Sequence, residues 1–353
     1  MIRLFCEECG QKLTPGAKFC EECGAPISVE KESNQTSILL TIFQNPNWMS
    51  LFRSEIENSN GSTGILFTNS QLLSEELGIS NDEALQIISN FILDRKSNGI
   101  SYFLLDVSNN AIGKATDVES HIRLLENITQ ITCPCYLFII GGNNIIPTQI
   151  YENEGKTDSD ETVPSDLPYS TLDKISPWKG RKYDFENCMT VGRLPTYEKE
   201  SVEEFKRYFE NIKQYENGIG EPNTLGVSAE VWKNTSNHCF KKFSKGKVLT
   251  SPNTTKSNIN TEINMDTNIC YFNVHGAEDS DAPDWYGQEG YTYPEVFSPK
   301  NITKIESAFV MGVEACYGAR YINYKKNQSI LLTSITQNCL SFLGSSKIAY
   351  GTC

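Results

Sequence analysis

Mostly parallel α/β sheets in two subdomains, behind a small cysteine-rich metal module, are the architecture this sequence predicts. Three observations carry that expectation. Short β-branched or aromatic runs alternate with helical patterns from residue 38 onward, the run YLFII at 136–140 is apolar without interruption, and four cysteines crowd into the first 23 residues. An uninterrupted apolar strand belongs in a sheet covered on both faces. Alternation of strands with helices makes that sheet mainly parallel.

The chain has 353 residues, enough for two or three domains. Its 39% hydrophobic content with 10% aromatics excludes a wholly disordered chain. No stretch reaches the ~18 apolar residues of a membrane helix, and the opening MIRLFCEECG lacks the apolar core of a signal peptide. A net charge of -13 without a Lys/Arg cluster repels phosphate backbones, so nucleic acid is disfavoured as a partner. The chain has twelve cysteines, and those beyond residue 23 are scattered through a body too large to need stapling. Reduced thiols and a cytoplasmic location follow as the expectation.

The elements can be taken in order. FCEECG occurs at 5–10 and again at 19–24, each copy a Cys-x-x-Cys-Gly turn, with a Pro15-Gly16 reversal between them. Cys6, Cys9, Cys20 and Cys23 form two knuckles suited to a tetrahedral structural Zn²⁺. A piece this small cannot bury a useful core, so the metal would supply most of its folding energy. A redox dithiol is the competing reading, but it needs only one such pair. The pattern resembles the zinc-ribbon family. The module occupies 1–26, and the polar run SVEKESNQTS lies within a linker at 27–37.

Candidate strands then follow at Ile38–Phe43, Gly64–Thr68, Ser101–Asp106, Cys135–Ile140 and Cys188–Arg193 in a subdomain spanning 38–220. Thr224–Ala229, Asn268–Val274, Ala308–Glu314 and Lys347–Tyr350 belong to a second subdomain, 221–353. Candidate helices are Asp82–Asp94, Asp117–Ile128, the long amphipathic Lys199–Tyr215, and Gln328–Phe342. Residues 151–187 are acidic, carry Pro164, Pro168 and Pro177, and read as a long ordered loop, a plausible place for activating cleavage. The chain stops directly after a predicted strand without a covering helix, which makes it either a fragment, truncated at its C-terminus, or a compact variant.

Of three histidines, His121 falls in a helical pattern and is expected to be an exposed helix residue. His275 closes the buried run CYFNVHG at the carboxyl end of a strand, where open α/β sheets bind ligands. The next run, AFVMGVE, ends in the same way at Ala315-Cys316-Tyr317-Gly318. If the two strands run parallel, His275 and Cys316 leave the same edge, and a cysteine thiolate there is favoured by a histidine and by backbone amides. Taken singly, such a cysteine is usually a small core hydrophobe and such a histidine a satisfied structural residue. Together, each ending a successive strand, they point to a thiol nucleophile.

These residues resemble the gingipain-type cysteine peptidases of the caspase-like clan. Tyr136–Pro147 (YLFIIGGNNIIP) resembles the family's LLLVGD…IP element, Ser165–Tyr169 with Leu172-Asp173 its SD…Y…LDG segment, and Thr190–Pro195 its VGR.P strand. Val227–Glu230 (VSAE) resembles its ASAE strand end, and Val274-His275-Gly276, Glu314–Gly318 and Leu343–Gly351 follow in the family's order. The resemblance runs from about residue 100 to the end and implies a caspase-like, flavodoxin-like fold. It implies Cys316 as nucleophile, His275 as proton donor and acceptor, and Glu230 as the carboxylate that orients the imidazole, although Glu230 by itself could as well be a surface carboxylate. The backbone amides of Gly276 and Cys316 would be the oxyanion donors.

The family's arginine-cleaving members place an acidic pocket residue shortly after the ASAE-like strand, whereas Val231–His238 holds no carboxylate. Asp279, Asp281 and Asp284 after the HG pair could line a pocket for a basic side chain instead; an acidic loop of this kind is more often simply solvated. The resulting expectation is an intracellular, regulated cysteine endopeptidase acting on protein or peptide substrates, its ribbon recruiting a protein partner. The alternatives are a catalytically silent interaction module and another thiol acyl-transfer enzyme.

Overall fold

The computed structural model describes residues 9, 11, 19–25, 39–58, 62–108, 116–132, 134–153, 159–172, 189–197, 201–215, 222–263, 266–278, 284–303 and 305–350. The expected linker and the Pro15-Gly16 reversal lie outside these residues, as does the expected boundary near 220.

β1 (Ser62–Thr68), β2 (Ile100–Asp106), β3 (Tyr136–Ile140) and β6 (Thr190–Leu194) form a first sheet in the order β2-β1-β3-β6. Every pairing in it is parallel. Residues 63 to 68 of β1 are all buried, so both faces of this strand are covered, whereas β3, the uninterrupted apolar run, leaves Tyr136 exposed and Phe138 half-buried. The helix Asn81–Ser97 starts where the Ser80 side chain accepts the Glu83 N–H, with acidic residues in its first turn and Arg95 and Lys96 in its last. Phe52, Phe67, Phe103, Leu125, Ile139 and Phe205 meet in the core around this sheet. Between β3 and β6, β4 (Gln149–Glu152) and β5 (Thr162–Ser165) form an antiparallel hairpin, so the stretch 151–187 read as a loop holds the end of β4, all of β5 and the short helix Leu167–Thr171.

The second sheet has the order β14-β13-β9-β7-β8 and is also parallel throughout. It comprises β7 (Thr224–Ala229), β8 (Val248–Ser251), β9 (Ile269–Asn273), β13 (Phe309–Glu314) and β14 (Cys339–Leu343). A small antiparallel sheet of β10 (His275–Gly276), β11 (Trp285–Tyr286) and β12 (Glu295–Phe297) grows from the end of β9. Leu331, Leu332 and Ile335 of the helix Ile330–Thr336 pack into the first sheet's core. Tyr208 of the helix Val202–Tyr215 donates to the Leu340 carbonyl at 3.0 Å, tying that helix to β14.

Four expectations need correction. The expected strand Ile38–Phe43 is helical over its described part, because Leu39, Ile42 and Phe43 are buried at i, i+3 and i+4 spacing, which is the helical period. The expected helix Gln328–Phe342 stops at Thr336; Asn338 donates its side-chain amide to the Ile305 and Glu306 carbonyls, and the chain continues as β14. Residues 347–350 form no strand, since Lys347 pairs with the loop after β13 through the Tyr317 N–H at 2.9 Å. His121 is buried, not exposed: it lies on the apolar face of Val118–Thr129, edge-on to Phe67, with Nδ1 3.2 Å from the Tyr169 hydroxyl. Among the described residues, no helix is long and apolar enough to cross a membrane.

Candidate active site

The parallel pairing of β9 with β13 sets Asn273 beside Glu314, and the Val274 N–H reaches the Glu314 carbonyl at 3.3 Å. The two strands therefore finish level. His275 and Cys316 leave the same carboxyl edge of the sheet, as the sequence predicts for parallel strands. The close approach is made by Gly276: a Cβ there would sit 1.7 Å from the Cys316 carbonyl oxygen and 3.3 Å from its nitrogen. Only glycine lets the two backbones meet.

Cys316 is half-buried, and its Sγ receives the Ala349 N–H at 3.4 Å. Cys270 and Cys339, elsewhere in the same sheet, are fully buried; desolvation pushes the Cys270 thiol up to about 12 and raises Cys339 as well. Burial of this kind keeps those two thiols unreactive, whereas Cys316 is partly open to solvent at the sheet edge.

The loop that carries Cys316 is anchored on three sides. Tyr317 takes a left-handed φ of 53° and donates its hydroxyl to Asp160 at 2.9 Å. Asp160, between β4 and β5, also accepts from Lys347 Nζ at 3.1 Å and the Ile348 N–H at 2.9 Å. Burial alone would raise its carboxyl, but the Ile348 N–H, the Tyr317 hydroxyl and the Lys347 ammonium outweigh that and hold it below the usual carboxylate range. The buried Arg320 donates to the Ala277 and Glu278 carbonyls at 3.0 and 2.6 Å, locking the segment after His275 to the segment after Cys316.

The His275 ring lies against Trp232, with centroids 4.4 Å apart, and Tyr293 stands edge-on at 5.3 Å. Its Nε2 is 2.8 Å from Gln288 Oε1.

A family model, peptidase family C25, matches residues 79–352. The chain belongs to peptidase family C25. A zinc-ribbon domain model matches residues 5–27. A search of curated proteins found no match. Three solved structures share the fold. One, described as "Structure of Protease", has a TM-score of 0.56 at 13% identity, covering 83% of this chain and 61% of that one. The Arg-specific cysteine proteinase gingipain R gives 0.54 at 14%, covering 78% and 59%. A complex of the pro- and mature domains of Porphyromonas gingivalis RgpB gives 0.54 at 12%, covering 81% and 64%. This C25 chain thus spans about three fifths of the length of these structures.

Within this C25 chain, two of the carboxylates singled out in the sequence are committed elsewhere. Glu230 follows β7 as expected, but it makes no hydrogen bond to His275. Its Oε1 pairs with Lys233 Nζ at 3.1 Å, and the Thr250 hydroxyl and Lys233 hold its carboxyl below the usual range. The Gln288 side-chain oxygen faces the imidazole instead, and the Gln288 backbone carbonyl accepts the Glu230 N–H at 3.1 Å. Asp284 is buried and ion-paired with Lys256 Nζ at 2.5 Å, so it is not a free carboxylate for a basic substrate side chain. Asp279 and Asp281 lie outside the described residues. Sequence reasoning missed Gln288, Asp160 and Arg320; none carries a local signal, because each acts through contacts made only in the folded chain.

In the ribbon, the sulfurs of Cys9, Cys20 and Cys23 lie within 4.8 Å of one another, with Cys9 and Cys20 Sγ 3.6 Å apart. Tetrahedral Zn–S bonds of ~2.3 Å require sulfurs about 3.8 Å apart, so the cluster fits zinc. The N–H groups of Cys23 and Glu22 aim at Cys20 and pull its thiol down to about 7, toward the thiolate that a metal needs. Cys6, the expected fourth ligand, lies outside the described residues.

Proposed function

We propose that this chain is a cysteine endopeptidase with Cys316 as nucleophile and His275 as its acid and base. The observation that carries the reading is the contact of Gly276 with the Cys316 backbone, which sets the histidine-bearing strand end directly on the nucleophile's loop. The Cys316 thiolate attacks the scissile carbonyl carbon, forming a C–S bond and an oxyanion that the Gly276 and Cys316 N–H groups receive. His275, protonated, gives its proton to the leaving amine as the C–N bond breaks, leaving a thioester. It then takes a proton from water, the resulting hydroxide attacks the thioester, and the carboxylic acid and free thiolate separate.

On this reading the chain divides at 1–26, 27–37, 38–220 and 221–353. Cys6, Cys9, Cys20 and Cys23 hold a structural zinc, and the ribbon recruits a protein partner or substrate. The scattered reduced thiols support a cytoplasmic setting, and a ribbon joined to the peptidase body supports a regulated role. Asp279 and Asp281, without Asp284, are the carboxylates offered to a basic side chain.

A defined peptide mixture tests the activity. New termini should appear with the wild-type chain and vanish with Cys316→Ala; products that persist in Cys316→Ala would overturn the assignment.

A further inference from the structure

Gln288, in the turn between β11 and β12, is not part of the dyad, yet its side chain is fixed from two sides. Its Oε1 lies 2.8 Å from His275 Nε2, and its Nε2 donates to the Gly290 carbonyl at 3.0 Å and the Tyr293 hydroxyl at 3.3 Å. A primary amide offers one acceptor oxygen and one NH₂ donor. The Gly290 carbonyl can only accept, so the NH₂ must face it, and the oxygen is left for His275. Turning the amide over would set two acceptor oxygens against each other and the NH₂ against the ring.

An oxygen facing Nε2 requires a proton on Nε2. The neutral imidazole then has its lone pair on Nδ1. Trp232 and Tyr293 restrict the ring's rotation, and Glu230, the carboxylate at the end of β7, is held by Lys233 and Thr250 rather than by the ring.

We propose that Gln288 is the positioning residue of His275, holding it in the Nε2–H tautomer so that Nδ1 exchanges the proton with Cys316 and the leaving amine. This rests on the dyad reading above. An amide does this work without adding charge: it accepts a hydrogen bond from the ring in both protonation states.

The test is ¹⁵N NMR of the full chain labelled at histidine. The chain has only three histidines, so His275→Asn identifies the relevant ring by difference. With the ring titrated to its neutral form, the wild type is expected to show the Nε2–H signature, and Gln288→Glu to keep it, because a carboxylate still accepts from Nε2–H. Gln288→Leu should lose the single tautomer, and kcat should fall by about ten- to a hundredfold, the loss of one hydrogen bond to a charged group, with KM nearly unchanged. An Nδ1–H ring in the wild type overturns the proposal, as does a tautomer indifferent to Gln288→Leu. The wild-type spectrum decides alone if Gln288→Leu does not fold. Because the spectrum needs no turnover, a Gln288-dependent tautomer in a chain that cleaves nothing would refute the peptidase reading and support the positioning role. Cleavage by a chain whose tautomer ignores Gln288 would do the reverse.

Discussion

Replacing Gly276 by alanine would place a methyl carbon 1.7 Å from the Cys316 carbonyl oxygen, where ordinary van der Waals contacts begin at 3.4 Å. The obstructing atom is backbone, so no side-chain rotation relieves it. Either His275 or the Cys316 loop must retreat by about 1.7 Å, and a misplacement of about 1 Å at a reacting centre costs about 10²-fold. The fold itself should survive, since overpacking of this kind costs about 1–3 kcal/mol. Measuring the rate at which a peptidyl electrophile alkylates Cys316, with iodoacetamide as a small control and thermal melting as a check on folding, separates the two effects. Gly276→Ala should lose at least about a hundredfold in the peptidyl rate. A folded Gly276→Ala chain that reacts at the wild-type rate would show that this close approach does not position the site.

Other substitutions follow from the same geometry. Asp160→Ala leaves Lys347 and the Tyr317 hydroxyl without their acceptor and should cost about 3 kcal/mol in denaturant unfolding, the range for breaking a buried pair. The folded Asp160 carboxyl lies below its unfolded value of about 3.9, so its contribution is complete above that pH and is lost as pH falls through the folded value. Melting measured between neutral pH and pH 3 should therefore fall less steeply for Asp160→Asn than for the wild type. Asp284→Asn should leave the ratio of Arg to Leu cleavage unchanged, because Lys256 already neutralises that carboxylate; a selective loss of Arg cleavage would refute this. Elemental analysis should find one zinc per chain, lost in Cys20→Ser, while chelation leaves Cys316 alkylation unaffected.

What the sequence disclosed depended on how local each signal was. The placement of His275 and Cys316 at one sheet edge is legible because each ends an apolar run at a strand's carboxyl end, and parallel pairing of β9 with β13 does the rest. The segment 39–43 misled because its β-branched and apolar residues suit a strand in composition, whereas the burial of Leu39, Ile42 and Phe43 follows the helical period. The end of Ile330–Thr336 was invisible because Asn338 finds its acceptors about thirty residues away, in the loop before β13. Glu230 occupies the strand end the resemblance assigned it, yet the β11–β12 turn brings Gln288 to the ring. Asp160 lies 157 residues before Tyr317, a contact that no local pattern encodes.

Labelling with peptidyl electrophiles reads out whether Cys316 and His275 work as a pair. Purified chain is incubated with peptidyl electrophiles carrying Arg, Lys, Asp or Leu beside the warhead, and the adduct is mapped by mass spectrometry in wild type, Cys316→Ala and His275→Ala. Cys316 should be modified selectively in the wild type and left unmodified in both variants. Modification of Cys316 no faster than of the exposed Cys135, or labelling unchanged by His275→Ala, would contradict it.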